Sequence, residues 1–242
     1  EIGEIYHVRS RFYQDVLADP NVAFSWRFDR QKAGSGALGD LGAHALAFAR
    51  YLGGEIDQVC GMIDTFISER PTPPDDYRYG NSSTASDAEV ERQRVENEDA
   101  AHALLRFRNK ATGVLETSRV ASGHKVGLDF EIVGSRGAIY FTHDRLNELN
   151  VYRADDGPGR RGFKTLMLGP DHPYYGEFWP VAGCGLGFGD LKTIEVYELL
   201  SGINEDIVLR PDFDDGWQVC RLSDAILTSA AEARWVSVDE IR

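Results

Sequence analysis

From residue 99 onward, apolar and polar side chains alternate in short runs separated by tight turns, the pattern of a sheet with one wet face. Residues 125–134 show it most plainly, with Val126, Leu128, Phe130 and Ile132 on one side and Asp129 and Glu131 on the other. The runs 102–108, 113–120, 137–142 and 148–153 continue it as a meander, and residues 4–12 and 56–67 read as earlier strands. Between those two the period changes. Ala37, Leu41, Ala45, Phe48 and Leu52 fall in one sector at helical spacing, so residues 36–52 form a helix that Gly53-Gly54 stops. Residues 191–200 and 217–232, the latter capped by 212–216, read as further helices, and 235–238 as a closing strand. Residues 155–189 are glycine- and proline-rich and read as a loop. Residues 68–97 hold Pro71, Pro73, Pro74, a Ser/Thr/Asn/Gly cluster and a charged run, and read as an exposed insertion, since strand signals resume at once. The expectation is an α+β domain spanning 1–242, a large, mostly antiparallel sheet with helices on one face and the other face open.

Composition narrows the function classes. Against 26 basic residues stand 39 acidic ones, a net charge of −13 that repels nucleic acid. No apolar run approaches the roughly 18–20 residues of a membrane span, and Glu1-Ile-Gly-Glu-Ile is no signal peptide. Cys60, Cys184 and Cys220 are too scattered for a disulfide framework, so the cytoplasm is the expected compartment. The chain opens without methionine on a strand-like segment, which reads as a protein whose true beginning lies elsewhere.

Chemistry concentrates at Gly34-Ser-Gly-Ala-Leu-Gly-Asp40-Leu-Gly-Ala-His44. On a helix Asp40 and His44 are one turn apart and share a face, which suits them to orient and move a proton. Ala43 and Ala47 leave room beside them, Tyr51 lies further along, and Trp26-Arg27-Phe28 just upstream can wall a ligand. The plain alternative is a surface carboxylate and a histidine at the edge of the core. Gly34-x-Gly36-x-x-Gly39 spells the dinucleotide fingerprint, but Asp29-Arg30-Gln31-Lys32 precedes it instead of an apolar strand, and no βαβ unit follows. A metal site is a further option, but two ligands without a third at suitable spacing are poor support for it.

These residues, with Trp26-Arg27 before them and Tyr51-Leu52-Gly53-Gly54 after, resemble the Gfo/Idh/MocA oxidoreductases, the family of glucose–fructose oxidoreductase and inositol dehydrogenase. Asn97-Glu98-Asp99, Gly113-Val-Leu-Glu-Thr-Ser118, Glu131-Ile-Val-Gly-Ser-Arg-Gly137 and Pro211-Asp-Phe-Asp-Asp-Gly216 follow in the family's order. The resemblance implies the C-terminal, substrate-binding half of an enzyme. Its N-terminal Rossmann domain, which binds NAD or NADP and supplies a lysine from Glu-Lys-Pro, has no counterpart in this sequence. It further implies oxidation of a secondary hydroxyl on a sugar or cyclitol, with His44 taking the hydroxyl proton and Asp40 orienting the substrate or the imidazole. Arg27 would face the nicotinamide end of the cofactor. The piece Asp171-His-Pro-Tyr-Tyr175 through Lys192 is similar to a segment of members acting on anhydrosugars and glycosides, which makes His172, Tyr175 and Lys192 candidate substrate contacts. The open sheet face, through residues such as Leu104, Leu115 and Val133, would pack against a second copy to form a homo-oligomer. Two rivals stand beside this reading: a carbohydrate-binding or assembly module without redox chemistry, and a metal-dependent hydrolase built on Asp40 and His44.

Overall fold

Along β1 (Ile5–Tyr13), Val8, Ser10 and Phe12 point into the core while Arg9, Arg11 and Tyr13 point out, so one strand defines both faces of the sheet. The computed structural model describes residues 2–73 and 91–241. Within them β2 (Ile56–Asp64) follows the first helices, and β3 (Glu69–Pro71) and β4 (Arg92–Arg94) pair as a small separate ribbon. Then come β5 (Ala100–Phe107), β6 (Thr112–Ser118), β7 (Gly127–Gly134), β8 (Gly137–Thr142), β9 (Glu148–Arg153), β10 (Lys164–Met167) and β11 (Val236–Ser237). They form a nine-stranded sheet in the order β10-β9-β8-β7-β1-β6-β5-β2-β11. It is antiparallel except where β1 runs parallel to β6. The expected meander is therefore interrupted: β1 is inserted between β6 and β7 and bonds to both.

Helices cover one face. A π-helical turn (Leu38–Gly42) leads into α2 (Ala43–Gly53), which follows the single-turn α1 (Arg30–Ala33) and lies over β1, β6 and β7. A later long helix, α5 (Phe213–Glu232), packs on β2 and against α2. Between them Leu38, Leu41, Leu46, Ala49, Leu222 and Ile226 fill the core with Val8, Val59, Leu105 and Leu115 from the sheet. Ser10 Oγ donates to the Ala45 carbonyl at 2.8 Å, pinning α2 to the central strand. Gly54, at φ 97°, ends α2 with its N–H on the Arg50 carbonyl at 2.8 Å, a conformation suited to glycine.

Four expectations need correction. Leu115 is fully buried on the helix side, in register with Ser10, and Val114 takes the outward place opposite Leu104. Both residues are apolar, so composition could not choose a face for them and the strand register did. The segment 68–97 is not simply exposed: Arg70 and Asn97 are buried, and β3 and β4 pair within it, while residues 74–90 lie outside the described residues. The stretch 155–189 holds edge strand β10 and the short α3 (Tyr175–Phe178). The remaining helix, α4 (Phe188–Glu205), runs longer than expected and leaves Val196, Leu199, Leu200 and Ile203 exposed.

Candidate active site

The chain reaches the helix that carries Asp40 and His44 in two steps. A 3-10 turn (Trp26–Phe28) buries Phe28 and leaves Trp26 and Arg27 outward. Asp29 then caps α1, its Oδ1 accepting the N–H groups of Gln31 at 2.9 Å and Lys32 at 3.3 Å. Gly34 to Ala37 carry the chain to the π turn. Such turns are uncommon inside helices and recur at functional sites. Here the turn holds Asp40, and His44 follows in the first turn of α2.

Asp40 and His44 remain at the surface while Leu38, Leu41, Ala45 and Leu46 lock the other side of the helix into the core. Asp40 is about half exposed, and Arg27 Nε lies 3.7 Å from its Oδ2. The Arg27 guanidinium also sits 4.7 Å over the Trp26 ring, so a flat aromatic and cationic surface borders the carboxylate. His44 sets its ring edge on Phe12 at 5.7 Å, which fixes one side of the imidazole. No hydrogen bond joins Asp40 to His44. The charged neighbour of Asp40 is Arg27, leaving the imidazole nitrogens for another partner.

The glycine-rich turn is not a dinucleotide turn. Glu98 Oε1 accepts the N–H groups of Gly36 at 2.7 Å and Leu38 at 2.9 Å, the amides that a pyrophosphate would need. A Cβ on Gly36 would run into the Glu98 carbonyl oxygen, so glycine is required there by close approach.

The second group of candidates has its own neighbourhood. His172 Nδ1 lies 3.1 Å from the Gly169 N–H, and its ring meets Tyr175 edge-on at 6.3 Å. Tyr175 is buried, donates its hydroxyl to Asn147 Oδ1 at 2.9 Å, and is held above the usual phenol range by that burial. Asn147 also accepts the Leu186 N–H at 2.7 Å and donates to the Leu186 carbonyl at 3.0 Å, so it ties the aromatic segment to the loop before α4. Lys192 pairs with Glu195 at 2.6 Å and lies 5.8 Å from the Phe188 ring centre. These contacts stay within the segment 147–195. Two cavities of about 290 and 280 Å³ lie elsewhere, one on the open face at Arg11, Asp129 and Tyr140, the other beside Ile139, Leu149 and Val151. Asp40 and His44 line neither, so they form part of an exposed wall. No cluster of three or more His, Cys, Asp or Glu side chains placed to hold a metal occurs among the described residues.

Comparison with known proteins bears on this geometry. The family model for the GFO/IDH/MocA C-terminal domain matches residues 1–140. The chain belongs to the Gfo/Idh/MocA family. A levoglucosan dehydrogenase of Pseudarthrobacter phenanthrenivorans is 40% identical over 243 residues, covering 99% of this chain and 61% of that protein. A solved levoglucosan dehydrogenase in complex with NADH and levoglucosan is 40% identical with a TM-score of 0.88, over 98% of this chain and 59% of the other. An NAD-binding oxidoreductase from Klebsiella pneumoniae has the same identity and TM-score over 98% of this chain and 60% of its own. The chain spans about three fifths of the length of these relatives.

Proposed function

We propose that this chain forms the substrate side of an NAD(P)-dependent dehydrogenase that oxidises a secondary hydroxyl of a sugar or cyclitol, with anhydrosugars of the levoglucosan type the first substrates to test. The observation that carries this is the placing of Asp40 and His44 at the surface of a helix whose opposite side is locked into the core, with Arg27 against Asp40. Similarity to levoglucosan dehydrogenases, some solved with NADH and a sugar, supports the substrate class.

His44 takes the proton of the reacting hydroxyl. Its ring is steadied by Phe12 and makes no hydrogen bond with Asp40, so a nitrogen is available to the substrate. Asp40 accepts a hydrogen bond from the sugar, holding the carbon in place while Arg27 steadies the carboxylate. A nicotinamide cofactor held against Arg27 and Trp26 would supply the hydride acceptor for that carbon. What this chain offers it fits the nicotinamide end alone: Arg27 and Trp26 present the flat cationic surface, while Glu98 occupies the amides of the glycine-rich turn. His172 and Lys192 contact the sugar from the 169–192 segment. Tyr175 shapes that wall, its hydroxyl being engaged by Asn147.

The test is direct. The full-length enzyme incubated with NAD or NADP and a panel of anhydrosugars, hexoses and cyclitols should produce reduced nucleotide with at least one of them. Binding of the cofactor without turnover of any polyol would refute the reading. The open sheet face, where Leu104 and Met62 are more than half exposed and Val114 lies opposite Leu104, supports self-association. Sedimentation of the wild type should show an oligomer that Leu104→Glu weakens. A wild type that is monomeric at micromolar concentration would remove the homo-oligomer.

A further inference from the structure

Residues 96–99 join both halves of the site to the sheet. The Glu96 N–H donates to the Phe28 carbonyl at 3.0 Å. Asn97 Nδ2 donates to the carbonyls of Arg27 at 2.7 Å and Ser35 at 3.2 Å. Glu98 takes the N–H groups of Gly36 and Leu38 on one carboxylate oxygen, and its own carbonyl accepts the Ala37 N–H at 3.0 Å. Asp99 anchors the run through a buried ion pair with Arg119 at 2.9 Å. Arg119 in turn donates to Asn97 Oδ1 at 2.9 Å and to the Arg27 carbonyl at 3.4 Å. All four of Asn97, Glu98, Asp99 and Arg119 are at least 96% buried.

A helix start leaves its first N–H groups without partners, and a nearby Ser, Thr, Asp or Asn usually supplies the acceptor. This start has no local side-chain cap. Its acceptor arrives from about sixty residues away, on the segment that leads into β5, and that same segment grips the Arg27 carbonyl. The distance between Arg27 and the Asp40–His44 helix is therefore held through residues 97–98, which form no hydrogen bond or ion pair with Asp40 or His44 themselves. We propose that Glu98, with Asn97 beside it, is a positioning residue for the reaction: its carboxylate substitutes for a local cap and fixes where Asp40 and His44 stand relative to Arg27. This rests on the dehydrogenase reading above.

Glu98→Ala removes the acceptor, whereas Glu98→Gln retains an oxygen in the same place. In the full-length enzyme Glu98→Ala should lower kcat about ten- to a hundred-fold per folded, cofactor-binding molecule, with the KM for the cofactor unchanged. Glu98→Gln should recover most of that kcat. In the 242-residue chain, the NMR signals of the Gly36 and Leu38 amides and of the His44 imidazole should shift in Glu98→Ala and return near their places in Glu98→Gln. If Glu98→Ala melts earlier but keeps wild-type kcat per folded molecule, or leaves the His44 signals in place, the positioning role is wrong and Glu98 serves folding alone. A wild type that oxidises no polyol would defeat the dehydrogenase reading, and the His44 signals would still decide whether Glu98 sets the geometry.

Discussion

Arg119→Met offers a sharp test of how the site is held. Arg119 and Asp99 are 2% and 0% exposed, and their 2.9 Å contact is supported by Asp99 Oδ2 accepting the Phe66 and Ile67 N–H groups at 2.9 and 2.8 Å. Methionine fills much of the arginine stem and removes the charge. It leaves a buried carboxylate without its cation, takes the Arg119 donor from Asn97 Oδ1, and leaves the Arg27 carbonyl to Asn97 Nδ2. Breaking a buried pair from one side costs about 3–5 kcal/mol, because the remaining charge stays out of water. For a chain of this size that should lower the thermal midpoint by roughly 6–20 °C. Urea unfolding followed by circular dichroism measures the loss. Arg108→Met is the control: its pair with Asp239 is more than half exposed on both sides and should cost less than about 1 kcal/mol. Adding Asp99→Asn to Arg119→Met should recover part of the loss, since the stranded charge is gone. An Arg119→Met loss no larger than that of Arg108→Met would refute the reasoning.

Other tests reach different parts of the account. Gly36→Ala sets a methyl against the Glu98 carbonyl and should cost about 1–3 kcal/mol in unfolding, while an unchanged stability would show that the close approach relaxes freely. Asp215 lies below the usual carboxylate range because the Asp212 N–H and then Arg50 stabilise its charge. A depressed folded-state value stabilises the protein above the ordinary value of 3.8, and that contribution is lost as pH falls through the folded value. Asp215→Asn should therefore lose less stability than the wild type between about pH 5 and 3, and an identical acid slope would contradict it. Asn147→Ala should loosen Tyr175 and the loop at Leu186, seen as faster proteolysis within 168–187. Unchanged cleavage would mean that the three hydrogen bonds of Asn147 hold nothing in place.

Much of the sheet was legible because alternation survives wherever one face is wet: β7 reads correctly from Leu128 to Ile132, and β8 and β9 match their expected bounds. The place of β1 was not. Its alternating pattern fits any neighbours, and only the register shows it lying between β6 and β7. At Val114-Leu115 two adjacent apolar residues hide which one points inward. α4 extends past its expected bounds at both ends, to Phe188 and Glu205, and its stripe of Val196, Leu199, Leu200 and Ile203, spaced like a buried one, stays exposed. At the site, the four-residue spacing of Asp40 and His44 was visible, as was the want of a strand before Gly34. The acceptor for the helix start was not visible, because Glu98 reaches it through the tertiary fold from far along the chain. The π turn was equally hidden, since Leu38 to Gly42 carry no local signal that separates it from an ordinary helix.

The proposed function rests on the Asp40 carboxylate of the π turn and the His44 imidazole at the start of α2 performing the proton work of sugar oxidation. The most direct measurement is the turnover of His44→Ala and Asp40→Asn in the full-length enzyme, with cofactor affinity determined on the same samples. The account predicts a fall of at least about a hundred-fold in kcat for His44→Ala, a smaller loss for Asp40→Asn, and cofactor binding close to wild type for both. Near-normal turnover in both variants would contradict it.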